Sequence, residues 1–364
     1  MKKILRIASY PTIQESGRGL HCYQISKLEK FQVIYLTWFN SKTKPFKVPD
    51  GVKLYVSKFY NVENPRYGTI IQKIIFHSCR LYRILTFSFY GIYLMLKYNV
   101  NYVHIHSPMF FIVSIFSKLL GKKNIITFHG ADFFRIEKAW WYSKISYCFD
   151  LVFSISPRYL TTLKKLHNCN VIQIYNGINL DIYKNYSLKR NKQILAVANF
   201  KPQKGLKFLV SGFNKFIKKY PMYDNYKLII AGKGILFDDV KSQVVKLGIE
   251  SNVSLIGQQN RDELIQLYNK SEIFILSSIW EGFAKVLMEA MACGCKVIST
   301  KVDSAPLLLD DWGLMIEHSN SDQICSYIRK SISEKYDFEK QEKYVQKFTW
   351  DKVREIYIQK IKFL

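Results

Sequence analysis

A chain of 364 residues is longer than one ordinary domain. A hydrophobic share of 48% against 23% charged is a globular balance, which excludes wholesale disorder and makes two domains the expectation. The formal net charge of +26 is uneven: residues 1–180 hold 25 Lys and Arg against 7 Asp and Glu, and residues 181–364 hold 29 against 21. That field selects anions, whether acidic lipid, nucleic acid or phosphorylated substrate. The seven cysteines have no framework spacing, and Cys293 and Cys295 stand too close for a CxxC pair, so free thiols in a reducing compartment are expected.

In chain order, residues 1–16 carry two lysines and a short apolar run, without a long apolar core or a small-residue cleavage site. They read as a first β-strand and not a signal peptide, which predicts a cytoplasmic chain. Runs rich in Val, Ile, Leu, Tyr and Phe follow: QVIYLTW, VKLYVS, YVHIHS, NIITFHG, LVFSIS and VIQIYNG, then QILAVAN, KLIIAGKG, VSLIG, IFILSS and KVIST. Many are continuous, the pattern of strands buried on both faces of a parallel sheet. Segments with helical spacing, such as 205–220 and 262–270, separate several of them. The alternation predicts a doubly wound α/β architecture, and so many strands call for two sheets of about six. The polar stretch 180–192 lacks apolar periodicity and marks the expected break. Domains at 1–180 and 181–347 follow, with a terminal amphipathic helix over 348–364 that aligns Trp350, Val353, Ile356, Tyr357 and Ile361.

Residues 70–100 mix large apolar side chains with Lys73, Arg80, Arg83 and Lys97, inside a span (64–131) that holds no acidic residue. Their longest uncharged run, 84–96, has 13 residues, short of the roughly 20 that a spanning helix needs. Two readings stand. One or two helices lie on an anionic membrane surface, or a buried helix of the first domain turns a basic side to solvent.

The stretch 273–300, IFILSSIWEGFAKVLMEAMACGCKVIST, carries the most chemistry. A buried strand ends near Ser277 and Ser278, a loop holds Gly282, strong helix formers follow, and a second strand begins after Gly294. Such a unit presents free helix N–H groups at the carboxyl edge of a sheet, an anion site that Gly282 lets a ligand approach closely. On one continuous helix Glu281 and Glu289 would stand about 12 Å apart in height and about 80° apart around the axis. They form no tight pair; the spacing suits two carboxylates gripping different hydroxyl-bearing ends of an extended ligand. The apolar flanks of Glu289 bury it, which calls for a ligand or a basic partner.

This stretch resembles the EX7E segment of glycosyltransferase family 4, the retaining enzymes of GT-B architecture. Other pieces resemble the family's elements in order: the Gly17-Arg18-Gly19 loop, His104-Ile105-His106-Ser107, Thr127 to Asp132 around His129-Gly130, the Asn176-Gly177-Ile178-Asn179 turn and the Lys201-Pro202-Gln203-Lys204-Gly205 loop. The resemblance implies two Rossmann-like domains with a central cleft, the first binding acceptor and the second nucleotide sugar, and a terminal helix crossing back to the first. It implies that Lys204 binds the donor diphosphate, that Gly282, Phe283 and Ala284 offer backbone N–H groups, and that Glu281 holds sugar hydroxyls and Glu289 the ribose. His129 would contact the transferred sugar, and Gly17 and Gly19 would close over the phosphates. The expected activity is metal-independent, retaining transfer of a hexose-type sugar from a nucleotide sugar to a saccharide or lipid-linked saccharide, in surface polysaccharide biosynthesis. The expected setting is the inner face of the plasma membrane.

Two departures stand out. Asn199 replaces the family's phosphate-binding arginine, one cation fewer, with Lys201 near enough in sequence to compensate. Asp303-Ser304 replaces its glycine pair. No D-x-D metal signature is present, and no cofactor is expected. His104 and His106 face one side of a strand but have no third metal ligand at credible spacing, so they read as structural. Gly232-Lys233-Gly234 lacks the third glycine of a dinucleotide fingerprint, because position 237 is Phe. The competing readings are a nucleotide-sugar epimerase of similar architecture and a non-enzymatic basic protein that binds nucleic acid. No base-reading module is recognisable for the latter, so no nucleic-acid partner is expected.

Overall fold

The computed structural model describes residues 1–8, 18–38, 49–57, 69–130, 132 and 140–364. Gly17 therefore lies outside the described residues. The chain forms two compact units, one of residues 1–177 with 350–364 and the other of residues 178–349.

In the first unit, strands β1 (Lys2–Ile7), β2 (Phe31–Trp38), β3 (Val52–Ser57), β4 (Tyr102–Ile105), β5 (Lys123–Phe128), β6 (Leu151–Ser154) and β7 (Asn170–Gln173) form one sheet in the order β3-β2-β1-β4-β5-β6-β7. In the second, β8 (Asn191–Val197), β9 (Lys227–Ala231), β10 (Val253–Gly257), β11 (Ser271–Leu276), β12 (Lys296–Thr300) and β13 (Gly313–Ile316) run in the order β10-β9-β8-β11-β12-β13. Every pairing is parallel. Each predicted apolar run is a strand. The four residues of β13 were not anticipated. Each sheet reverses its order once, at β1/β4 and at β8/β11. The carboxyl ends of strands at such switch points are where doubly wound folds take ligands.

Helices α1 (Arg18–Gln24), α2 (Ile70–Tyr98), α3 (Phe111–Leu119), α4 (Trp140–Ile145) and α5 (Leu160–Leu166) belong to the first unit. The second unit holds α6 (Leu206–Lys219), α7 (Phe237–Leu247), α8 (Arg261–Lys270), α9 (Lys285–Ala292), α10 (Ala305–Leu309), α11 (Ser321–Ser333) and α12 (Phe338–Val345). The last helix, α13 (Trp350–Lys362), returns to the first unit. Its Trp350, Val353, Tyr357 and Ile361 are buried there, as the sequence periodicity predicts. Local chemistry sets several ends. Asn260 and Glu263 form a reciprocal capping box on α8, and Thr69 and Gln72 do the same on α2. Asn99 ends α2 in the left-handed conformation.

The boundary between units falls at 177/178, ahead of the predicted 180–192. The Ile178 N–H donates to the Phe348 carbonyl, so the outgoing and returning chains run together at that point. Just before it, a Cβ on Gly177 would come within 2.6 Å of the Trp350 ring. The glycine lets the turn pack flat on that tryptophan.

Residues 70–98 form one helix, and the reading as a buried helix of the first domain holds for part of it. Phe87, Leu94 and Met95 join the first core, with Val113 of α3 and Ile7 of β1. The opening turns, with Ile70, Ile71, Ile74 and Ile75, are exposed. Among the described residues, no helix is long and apolar enough to cross a membrane. All seven cysteines are free.

Candidate functional site

In the second unit the candidate residues gather at the carboxyl ends of β8 and β11, the strands that flank its switch point. The chain leaves β8 through Asn199, which is exposed, and turns through Pro202–Lys204 into α6. Gly205 makes that turn with φ +61, and a Cβ there would meet the Ser277 carbonyl oxygen at 2.2 Å. Only glycine fits, because the loop lies directly on the end of β11. Ser277 Oγ donates to the Lys204 carbonyl at 2.8 Å, and the Ile279 N–H donates to the Gln203 carbonyl at 2.7 Å.

These contacts bring Lys204 and Glu281, 77 residues apart, into one ion pair: Lys204 Nζ stands 2.5 Å from Glu281 Oε1. Ser278 Oγ donates to the same oxygen at 2.7 Å. The two side chains are 15% and 13% exposed, so the pair is largely withdrawn from water yet reachable.

Glu281 and Gly282 lie in the loop before α9, and Glu289 lies on it. Glu289 is buried and the protein itself meets its need for partners. The Tyr268 hydroxyl donates to Oε2 at 3.2 Å, and Lys285 Nζ stands 3.6 Å from Oε1, one turn away. Tyr183 hydrogen-bonds it as well; burial first, and then the charge of Glu289, push the Tyr183 hydroxyl above its ordinary pKa. The same two causes raise Tyr268. These tyrosines therefore stay protonated as donors to a carboxylate.

One predicted donor is corrected. The Ala284 N–H does not open onto an empty anion site: it donates to Ser304 Oγ at 2.9 Å, and Ser304 is fully buried. The sequence reading noted Ser304 only as a departure from glycine. A hydroxyl at this position can accept a bond that glycine lacks the atom to form, and it fills the first amide of the helix entrance.

In the first unit, His129 closes β5, and its ring is buried beside His106 at the end of β4. His106 Nδ1 lies 3.2 Å from His129 Nε2. Asp132 accepts from the His129 backbone N–H at 3.2 Å and from Arg18 at 2.5 Å, which ties the turn after β5 to α1. Gly19 stands in the first turn of α1, in a helix and not in the phosphate-closing loop that the resemblance implies. His21, also on α1, sets its ring edge against His129 at 5.4 Å and bonds Asn176 through Nδ1 at 3.1 Å. Burial and then the Arg6 charge lower His21 to about 3. Burial first drives His104, His106 and His129 in the same direction. The cluster is neutral at ordinary pH.

Beneath it the protonation pattern can be deduced. Arg6, fully buried, donates to the Tyr357 hydroxyl at 2.9 Å. That hydroxyl must then donate onward to His104 Nδ1, 2.8 Å away. His104 is thereby fixed with its proton on Nε2, which donates to Thr127 Oγ1 at 2.8 Å. His104 is structural, as expected. Tyr357 as its partner was not legible along the chain; Arg6, a cation inside the apolar run KILRI, was the available signal.

Folding also supplies what spacing along the chain had denied to a metal pair. Cys22, His106 and His129 offer ligand atoms within 4.8 Å of one another, all buried. The charges of Arg6 and Arg18 act on the same atoms and oppose a divalent cation.

Comparison with known proteins bears on the family and the fold. Residues 181–348 match the family described as glycosyl transferases group 1, and residues 45–182 match glycosyltransferase family 4. The chain is 28% identical over 278 residues to an uncharacterized glycosyltransferase of Methanocaldococcus jannaschii, covering 71% of this chain and 75% of that one. It is also 28% identical over 194 residues to the N-acetylgalactosamine-N,N'-diacetylbacillosaminyl-diphospho-undecaprenol 4-alpha-N-acetylgalactosaminyltransferase of Campylobacter jejuni, covering 51% of this chain and 48% of the relative. An Anabaena protein solved in complex with UDP and glucose shares the fold, with a TM-score of 0.68 at 16% identity and full coverage of both chains. Two parallel-sheet α/β units and matches to both halves of one family lead to a single assignment: the chain belongs to glycosyltransferase family 4, the glycosyltransferases of GT-B architecture.

Proposed function

We propose that this glycosyltransferase works with retention and without a metal ion. It moves a hexose-type sugar from a nucleoside diphosphate sugar to a saccharide or lipid-linked saccharide, in surface polysaccharide assembly at the inner face of the plasma membrane. The observation that carries the reading is the Lys204–Glu281 pair at the switch point of the second sheet. A cation and a carboxylate that satisfy each other in the unliganded protein match the two ends of a sugar diphosphate. On binding, Lys204 exchanges Glu281 for the diphosphate, and Glu281 becomes free to accept from sugar hydroxyls. Glu289, which accepts from Tyr268 and pairs with Lys285, serves the ribose. The Gly282 and Phe283 amides with Lys204 take up charge on the leaving diphosphate, the main catalytic term for such a reaction. With Asn199 where the family has arginine, Lys201 is the nearest further cation in sequence. His129, neutral and held by His106, contacts the transferred sugar without carrying charge. UDP and glucose in the Anabaena relative, and the diphospho-undecaprenol in the name of the Campylobacter relative, support the donor and acceptor classes.

The test incubates the protein, in chelator, with a panel of nucleoside diphosphate sugars, with and without acceptor, and follows products by NMR. One donor should yield an α-linked product from an α-configured sugar. Conversion of the donor to an epimer without acceptor, or turnover that vanishes in chelator, would overturn the reading.

A further inference from the structure

Helix α2 is amphipathic the wrong way round for a protein surface. At 100° per residue, Ile71, Ile75, Tyr82, Phe89, Tyr93 and Leu96 fall within about 60° of arc, and each is more than half exposed. Phe87, Leu94 and Met95, which enter the core, lie about 170° around the helix. The outward face is thus an apolar row about 38 Å long at 1.5 Å per residue. Monomeric proteins rarely leave contiguous apolar patches of more than roughly a few hundred Å² uncovered, and six large side chains in one row are of that order.

We infer that the outward face of α2 docks on an anionic lipid bilayer, lying along the surface and not spanning it. Charge selects this occupant. Residues 64–131 hold eight Lys or Arg and no acidic residue. A helix with an apolar row, four Lys or Arg and no acidic residue is the form that settles at a headgroup boundary; Lys97 lies about 70° from the centre of the row, and Tyr82, Phe89 and Tyr93 sit in it. A second copy of the chain would set two acid-free helices, each carrying four Lys or Arg, against each other, which like charge opposes. No helix among the described residues is long and apolar enough to cross a membrane. The docking has a consequence for substrate choice, resting on the reading of a lipid-linked acceptor above. Selection of membrane-borne acceptor comes in part from α2, away from the sugar site.

The test is flotation of the full-length protein with vesicles of phosphatidylcholine containing anionic phosphatidylglycerol, against phosphatidylcholine alone. Ile75→Asp/Phe89→Asp is compared with a charge-matched control in the second unit, Met222→Asp/Val245→Asp, whose positions are also exposed. Wild type and control should float with anionic vesicles, and the α2 variant should lose at least about tenfold in partition while its unfolding midpoint is unchanged. Equal partition of all three, or equal binding to neutral vesicles, would overturn the proposal. So would a wild-type dimer in sedimentation that the α2 variant abolishes without any vesicle binding. Donor hydrolysis by the α2 variant should equal wild type, and its KM for vesicle-borne acceptor should rise. Flotation needs no sugar transfer, so failure of the catalytic reading and failure of this one give different results.

Discussion

Lys204 Nζ lies 2.5 Å from Glu281 Oε1, in a pair that is mostly shielded from water. Each group is the other's stand-in for a ligand. Replacing Glu281 by Gln keeps the shape and removes the charge that holds Lys204. Glu281→Gln should bind the free nucleoside diphosphate as tightly as wild type or several-fold tighter, while sugar transfer falls about 100-fold. Lys204→Met should weaken the same nucleotide by at least about tenfold, the worth of one charge-assisted bond. Calorimetric titration with turnover assays checks both, and weaker nucleotide binding by Glu281→Gln would sink the exchange model.

Gly205 and Gly121 both have positive φ, at +61 and +66, but their surroundings differ. A Cβ at 205 strikes the Ser277 carbonyl, whereas one at 121 meets nothing within 4 Å. Gly121→Ala should cost about 1 kcal/mol, the conformational term alone. Gly205→Ala should cost about 3 kcal/mol or more and displace Lys204. Denaturant unfolding of the two variants makes the comparison, and similar losses would contradict the close docking of the loop.

Ser304 accepts from the buried Ala284 N–H. Ser304→Ala leaves that donor unsatisfied, at a cost of about 1–3 kcal/mol. A bound diphosphate should recover part of the loss by taking the freed amide. The rise in melting temperature on adding nucleotide should therefore be larger for Ser304→Ala than for wild type; an equal rise would mean that this amide never faces the ligand.

Tyr357→Phe removes the hydroxyl that joins Arg6 to His104. It leaves a buried guanidinium short of one acceptor, and should cost about 2–3 kcal/mol. In the wild type, nitrogen NMR should find His104 with its proton on Nε2. A proton on Nδ1 would refute the deduced chain of donors.

The first unit should be the acid-labile one. His21 titrates near 3 when folded, against about 6.5 for an ordinary histidine, and His104, His106 and His129 are lowered too. Below about pH 6.5 the unfolded chain takes up protons that the folded cluster refuses, so stability is complete above that pH and falls as pH drops toward 3. Each pH unit costs up to about 1.4 kcal/mol per buried imidazole. The second unit holds a single histidine, His318, which is exposed. Hydrogen exchange at pH 5 and pH 7.5 should show protection lost first in β1, β4 and β5; equal loss in both units would count against this cluster.

Continuous apolar runs are read from sequence because a strand buried on both faces has no polar face to interrupt it, and the two sheets were legible on that basis; the amphipathic period showed the last helix, while its return to the first unit and the EX7E reading came from resemblance. Roles at Lys204, Glu281, Glu289 and His129 came from resemblance, and distances within each unit now give them surroundings. Partnership across long separations was not legible. Nothing local in Ser304 says that it fills the Ala284 amide, nor in Tyr357 that it fixes a histidine proton. Nor could the helical period of α2 say which side faces the core, since both its apolar row and its buried row recur every turn. A sequence determines what each segment can bury; which surface actually meets it depends on packing between elements far apart in the chain, and that only the tertiary structure decided.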